Sequence, residues 1–277
     1  MFRNASELME SSPQDCYRSH VTSFAWEGFQ PVLTERVMAT AELRSLSLEP
    51  LDMFVSEARR CVGSGDEVCG TVLENRMPRC RGCDSFPVQE CRFQPRCRGN
   101  MCEDTVCGDP HVVYIAVFAS NLKVGMTRSS RLRERGIEQG ADIMASVGEY
   151  GSRMQARSAE QSLSRSRGIP QTMSSATLAN CLGDGSLDQA QALWEDVGKT
   201  FETSTETILD GYPLKGLEGV PRVMPTAGKH RGEFLGAKGR LAVYRDELGM
   251  LKAIDLKDLV SRFIGTAPSL CAQSTLF

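Results

Sequence analysis

The sequence contains no run of roughly 18 to 20 uninterrupted apolar residues, the length a helix needs to cross a bilayer. Its opening stretch, "MFRNASELMESSPQD", has no apolar core of the kind a secretory signal carries. A basic excess is missing too, since the formal charge is −3 and the pI is near 5.8. The first two absences point to a soluble, cytoplasmic chain that engages no membrane. The third excludes a protein that coats nucleic acid by bulk electrostatics, so any nucleic-acid site has to come from a local basic patch. No internal repeat and no low-complexity tract is present. The hydrophobic fraction, 41%, is ordinary for a globular protein and allows a buried core.

Large apolar residues are scarce between residues 61 and 111, and that segment cannot fold by hydrophobic burial alone. What it has is cysteine. Of 11 cysteines in the chain, eight fall here: Cys61, Cys69, Cys80, Cys83, Cys91, Cys97, Cys102 and Cys107. Without an export signal, reduced thiolates holding metal are a better reading than disulfides. The spacing is C-x7-C-x10-C-x2-C-x7-C-x5-C-x4-C-x4-C-x3-H, ending at His111. Tetrahedral zinc takes four such ligands, and Cys80 and Cys83 supply two of them one tight turn apart.

Eight thiolates and an imidazole suffice for two structural zinc ions. One partition uses Cys61, Cys69, Cys80 and Cys83 for the first, and four of Cys91, Cys97, Cys102, Cys107 and His111 for the second. The gaps do not dictate that pairing, and an iron-sulfur cluster held by four cysteines has the same spacing. His111 reads equally as a polar residue at a strand entrance. Arg76, Arg79, Arg81, Arg92, Arg96 and Arg98 lie in the same segment, with only Asp84 and Glu90 among them. They form either a surface for phosphates or a counterweight to thiolate charge.

The chain reads as α+β, in the order β, metal knot, mixed αβ, β. The expected divisions are a leader at 1–19, a β segment at 20–60, the cysteine-rich segment at 61–111, an αβ module at 112–180, and a helix with a C-terminal β segment at 181–277. Val112 to Phe118, "VVYIAVF", is a continuous apolar run of buried-strand type. A turn at Ala119 to Asn121 leads to a second strand. A first helix should stop near Gly140 and a second should run from Ser152 to Arg167. Ser186 should cap a third. After Tyr212, strands punctuated by Gly236, Gly239 and Gly249 are expected. Whether the β segments at the two ends pack together is left open.

In "VVYIAVFASNLKVGMTRSSRLRERGIEQGA" the sequence resembles the GIY-YIG nuclease superfamily. Val113-Tyr114-Ile115 takes the place of the first name-giving motif and Lys123-Val124-Gly125 that of the second. Arg133 falls in the first helix where the family has an arginine, and Glu160 in "RMQARSAEQSLSR" matches its metal-binding glutamate. The resemblance covers about residues 112 to 168. It implies a GIY-YIG-like αβ core, flanked by the zinc knot and by small β segments at both ends.

The implied chemistry is hydrolysis of a phosphodiester. Glu160 would hold Mg²⁺, Arg133 would neutralise developing charge, and Tyr114 would position or deprotonate the attacking water. Lys123 stands where the family has a second tyrosine. At its ordinary pKa an ammonium can only donate, so lysine either grips phosphate or, with its pKa lowered by burial, serves as a base. Arg81, Arg92, Arg96, Arg128 and Arg131 would hold DNA or RNA in either case. A helix from Ser152 puts Ala156, Glu160 and Leu163 on one face. The competing arrangement is an exposed pair of Glu160 with Arg157.

A second resemblance spans most of the chain, to a family of unknown function. Its marks are "CVG", the cysteine knot, "PHVVYIA", "KVGMTR", "EQGA" and "GEFLGAKGRL". That likeness implies no activity, so the alternatives are a catalytic protein, a zinc protein that binds nucleic acid without cutting it, and a platform for protein partners.

Overall fold

The structure, a computed structural model, describes residues 17–64, 68–84, 91, 94–97, 105–183, 185–201, 203, 205–214 and 217–265. Most of the expected leader lies outside the described residues, as do Arg92 and Cys102. The short apolar runs after Arg18 become β1 (Ser19–Glu27), β2 (Gln30–Val37), β3 (Leu43–Ser45) and β4 (Leu51–Arg59). Gly28 turns β1 into β2 with φ +58°, a conformation that costs glycine little. Along β4, alternation points Leu51, Met53 and Val55 into the core and leaves Asp52 outside.

The run Val112–Phe118 falls within β5 (His111–Phe118), which pairs with β6 (Asn121–Arg128) and β7 (Ile143–Tyr150). With β8 (Thr205–Ile208) they make a four-stranded antiparallel sheet in the order β6-β5-β7-β8. Every residue of β5 is buried because both faces of this sheet are covered. On one face Val113, Ile115 and Val117 meet Ala156 of α2 (Arg153–Arg167) and Ala190 and Trp194 of α4 (Ser186–Val197). On the other, Tyr114, Ala116 and Phe118 meet Ile137 of α1 (Leu132–Gln139), together with Tyr212 and the first hairpin's Trp26 and Phe29. Such double burial is what an uninterrupted apolar strand needs.

The helix punctuation follows local chemistry with one difference. Ser152 caps α2 by accepting the Gln155 N–H, and Gly168 ends it with φ +67°. Ser186 does not cap α4: Gly185 takes that position and Ser186 is the first helical residue. Its hydroxyl instead donates to Asp142 at 3.1 Å, because the buried carboxylate is the stronger acceptor. A further short helix, α3 (Ser175–Asn180), lies between α2 and α4.

The C-terminal region supplies β9 (Arg222–Val223), β10 (Gly228–Lys238), β11 (Leu241–Arg245), β12 (Leu251–Asp255), α5 (Leu256–Leu259) and β13 (Arg262–Gly265). The two end segments do not stand apart. They form one nine-stranded sheet in the order β3-β2-β1-β13-β4-β10-β11-β12-β9, with β13 inserted between β1 and β4. Val21, Leu33 and Val55 share a core with Ala242, Ile254 and Ile264. β10 serves two partners, pairing through residues 228–232 with β4 and through 233–238 with β11.

The two sheets meet where α1 ends. Gly140 caps α1 with φ +79° against Gly239, itself at φ +58° in the β10–β11 turn. A Cβ on Gly140 would lie 2.8 Å from the Gly239 nitrogen. Beside this contact, Lys238 and Asp142 form a buried ion pair at 2.5 Å. Asp142 also accepts the Ala119 N–H at 2.8 Å, so its charge is fully engaged. This junction brings Arg240 to the side of α1.

Candidate functional site

The cysteine-rich segment begins as a continuation of β4. Cys61 N–H donates to the Thr71 carbonyl at 2.9 Å and Leu73 N–H to the Arg59 carbonyl at 3.0 Å, while Val62 N–H reaches the Pro78 carbonyl at 3.0 Å. These bonds fold the segment so that the sulfurs of Cys61, Cys69, Cys80 and Cys83 lie within 4.8 Å of one another. Cys69 and Cys80 are 3.9 Å apart, against the roughly 3.8 Å edge of a tetrahedron with zinc–sulfur bonds of about 2.3 Å. The N–H groups of Gly63 and Cys80 donate to the Cys61 sulfur at 3.4 and 3.2 Å, the bonding a buried thiolate needs.

Four sulfurs this close oppose one another's ionisation. The Cys83 N–H draws the Cys80 thiol down to about 6, whereas the Cys61 thiol pushes Cys83 up to about 12. A divalent cation such as zinc is what lets all four carry charge together, and the donor set fits it. With four thiolates engaged no position stays open for substrate, so the chemistry such an ion supplies is structural.

This is the one group of at least three metal-ligating side chains among the described residues. Of the other expected ligands, Cys91 and Cys107 are both approached by Arg153, which donates to the Cys91 carbonyl at 2.9 Å and contacts the Cys107 sulfur at 3.8 Å. Cys97 is half-buried. His111 opens β5, buried, with Nδ1 2.7 Å from the Asp109 carbonyl oxygen.

A cavity of about 150 Å³ opens beside β6 and α1. Four cationic side chains from four elements line it: Lys123 of β6, Arg135 of α1, Arg240 of the β10–β11 turn and Lys257 of α5. Glu138 is its one lining carboxylate, and it bridges Arg135, at 3.0 Å, and Arg131. Arg240 holds Asp255 at 3.2 Å and donates to Ser175 and the Met173 carbonyl. Its Nε stays without a well-aligned hydrogen bond despite that short ion-pair distance.

A hydrogen-bonded chain runs inward from the cavity. Lys123 Nζ donates to Gln139 Oε1, and Gln139 Nε2 donates to the Tyr114 hydroxyl at 2.6 Å. Cross-strand pairing explains the placement. Ala116 opposes Lys123 and Tyr114 opposes Gly125, so Lys123 and Tyr114 share a face. Gly125 has no side chain to block the phenol; a Cβ there would lie 2.3 Å from the Tyr114 hydroxyl. Burial, then the neighbouring Arg135, lower Lys123 to about 8. Burial raises Tyr114. Lys257 is lowered by desolvation at the wall and by Arg135. It is exposed at the rim, where solvent screening tempers both causes.

Of the residues the sequence singled out, Tyr114 and Lys123 come together, joined through Gln139. Glu160 is buried on α2, close enough for its charge to act on both of the others. It faces inward, and its pair with Arg157 at 2.5 Å forms on the buried side of the helix and not as the exposed pair weighed against that arrangement. Arg133 is not with them. Its guanidinium lies 5.3 Å from the Phe29 ring centroid, and Arg135 stands next to Tyr114 instead. Tyr114 and Glu160 do not line the cavity.

Arg128 pairs with Asp109 at 3.7 Å, while Arg81 and Arg96 are exposed on the knot, so the expected arginine grip is spread over several surfaces. Arg135, Gln139, Arg240 and Lys257 were missed. For the first two a signal existed, because residues four apart on a short helix share a face.

A family model described as "Protein of unknown function (DUF2797)" matches residues 49–252. The chain belongs to this family. The DUF2797 region takes in the cysteine cluster, β5 to α4, and Arg240, but ends before Lys257. No curated protein and no solved structure matches the chain. Among the described residues no helix is long and apolar enough to cross a membrane.

Proposed function

We propose that this DUF2797 protein acts on nucleic acid, with the basic cavity receiving a phosphate of the backbone and Lys123 serving as the base for phosphodiester hydrolysis. The reading keeps the GIY-YIG-like character of the hairpin. The observation that carries it is the chain Tyr114–Gln139–Lys123, which ends at a cavity lined by four cations. With a pKa of about 8, Lys123 has a neutral fraction near physiological pH. The neutral amine accepts a proton from water as the water oxygen bonds to phosphorus. The bond from phosphorus to the leaving oxygen breaks, and that oxygen takes a proton from solvent at the rim. Arg135 and Arg240 offset charge developing on the phosphoryl oxygens. Gln139 and Tyr114 are positioning residues for Lys123.

Glu160 is a lone carboxylate held by Arg157, which makes a poor resident site for Mg²⁺, an ion that wants near-octahedral oxygen. No step is therefore drawn through that metal. The same ion pair favours a second reading, in which the zinc-stabilised protein binds DNA or RNA without cutting it.

The test is incubation of the full chain with labelled DNA and RNA, with Mg²⁺ or Mn²⁺, beside Lys123→Met and Glu160→Gln. Cleavage by the parent but not by Lys123→Met supports hydrolysis. Binding with steep salt dependence and no cleavage selects the second reading. A chain that neither binds nor cleaves overturns both.

A further inference from the structure

The charges around the cavity divide into two pairs. Arg135 has Glu138 at 3.0 Å and Arg240 has Asp255 at 3.2 Å, so each arginine meets a carboxylate. The lysines do not. Lys123 donates to the neutral amide of Gln139, and Lys257 has neither a hydrogen bond nor an ion pair from its ammonium among the described residues. Glu160 is held by Arg157. The cavity thus presents two lysines without a directly paired carboxylate, Glu138 and Asp255 acting on Lys257 and Glu160 on Lys123 only from a distance. Its volume is about 150 Å³, several times the roughly 10–15 Å³ that one water needs on the same measure. That is room for a phosphate group.

We propose that the cavity seats a phosphomonoester dianion, and that on a nucleic acid this is the terminal phosphate of a strand. An internal diester, the group that hydrolysis requires here, carries one negative charge and leaves the second lysine unmatched. A terminal phosphate carries close to two near neutral pH, matches both lysines, and has one ester oxygen to lead out over the rim. Lys257 stands at that rim, with Thr172 in the wall opposite a doubly charged group that accepts several hydrogen bonds. The assignment of the ligand to nucleic acid rests on the function proposed above; the preference for a dianion does not.

The test uses the full chain without divalent cations. Strands of one sequence ending in 5′-phosphate, 3′-phosphate or hydroxyl are titrated by equilibrium binding, and inorganic phosphate alone is added in a thermal-shift assay. One phosphorylated end should bind about tenfold tighter than the hydroxyl strand, as one charge-assisted hydrogen bond implies. Lys257→Met, at an exposed position, should remove the thermal shift and bring the phosphorylated strands down to the affinity of the hydroxyl strand, which itself weakens by a smaller factor. Equal affinity for all three strands with no shift from phosphate overturns the proposal and leaves the nucleic-acid reading standing. A phosphate shift lost in Lys257→Met, with no strand bound, supports the dianion seat with a small phosphomonoester as its source and overturns the nucleic-acid reading.

Discussion

At the scale of single residues, Lys123 ties stability to activity through one proton. Its folded pKa, about 8, lies below the ordinary 10.5. Below pH 8 the lysine is charged in both states and the folded chain bears the full desolvation cost. Between 8 and 10.5 the unfolded chain binds more protons, so stability rises with pH across that window. Lys123→Met should therefore be more stable than the parent at pH 7, with the gap closing by about pH 10.5 in urea unfolding; a gap independent of pH would count against burial of the charge. The same proton separates the two functional readings. Hydrolysis by the neutral amine should rise through about pH 8, while phosphate affinity should fall. The arginines divide similarly: Arg135→Ala should abolish strand binding, whereas Arg133→Ala should cost only the Phe29 contact, about 0.5–1 kcal/mol.

Among elements, β5, the hairpin turn and α2 were readable because their signals are local. An apolar run, a turn and a serine-to-glycine frame each act within a few residues. The choice of arginine was not readable at the same level. Two positions on a helix are about 200° apart, and the resemblance placed the residue by count rather than by face. Arg240 and Lys257 were beyond reach because their meaning comes from the sheet junction, which no local pattern encodes. Ser186 was misread for a related reason: Asp142 and Lys238, both distant in sequence, claim its hydroxyl.

That junction carries its own expected outcome. Asp142→Ala leaves Lys238 buried and unpaired and should cost about 3–5 kcal/mol in denaturant unfolding. Replacing both residues with apolar ones should cost less than the two single changes together. Gly239→Ala, at φ +58° and facing the Gln139 carbonyl at 2.4 Å, should push Arg240 away from α1 and weaken phosphate binding. Unchanged binding would show that Arg240 is dispensable.

For the whole molecule, the cysteine cluster and the cavity are joined through Arg59. This nearly buried side chain donates to the Arg76 carbonyl of the knot at 3.4 Å and to Asp258 of α5 at 2.9 Å, next to Lys257. Elemental analysis should find at least one zinc per chain, and Cys83→Ala should remove it. Chelation should raise hydrogen exchange first at residues 61–84 and then in α5, because metal binding there is folding energy. Iron with visible charge-transfer absorption, or no metal, would refute zinc. A fragment cut to the matched residues 49–252 loses β1, β13 and Lys257, and should fail to give a cooperative unfolding transition.

The insertion of β13 also sets a clock. His20 pairs with Phe263, so the first strand made waits for almost the last. At roughly 5–20 residues per second, synthesis leaves β1 and β4 with open edges for on the order of tens of seconds. During that interval the emerging chain is a client for whatever in the cell shields unpaired strands. Its yield in a heterologous host should depend more on that protection than on the stability of the finished fold.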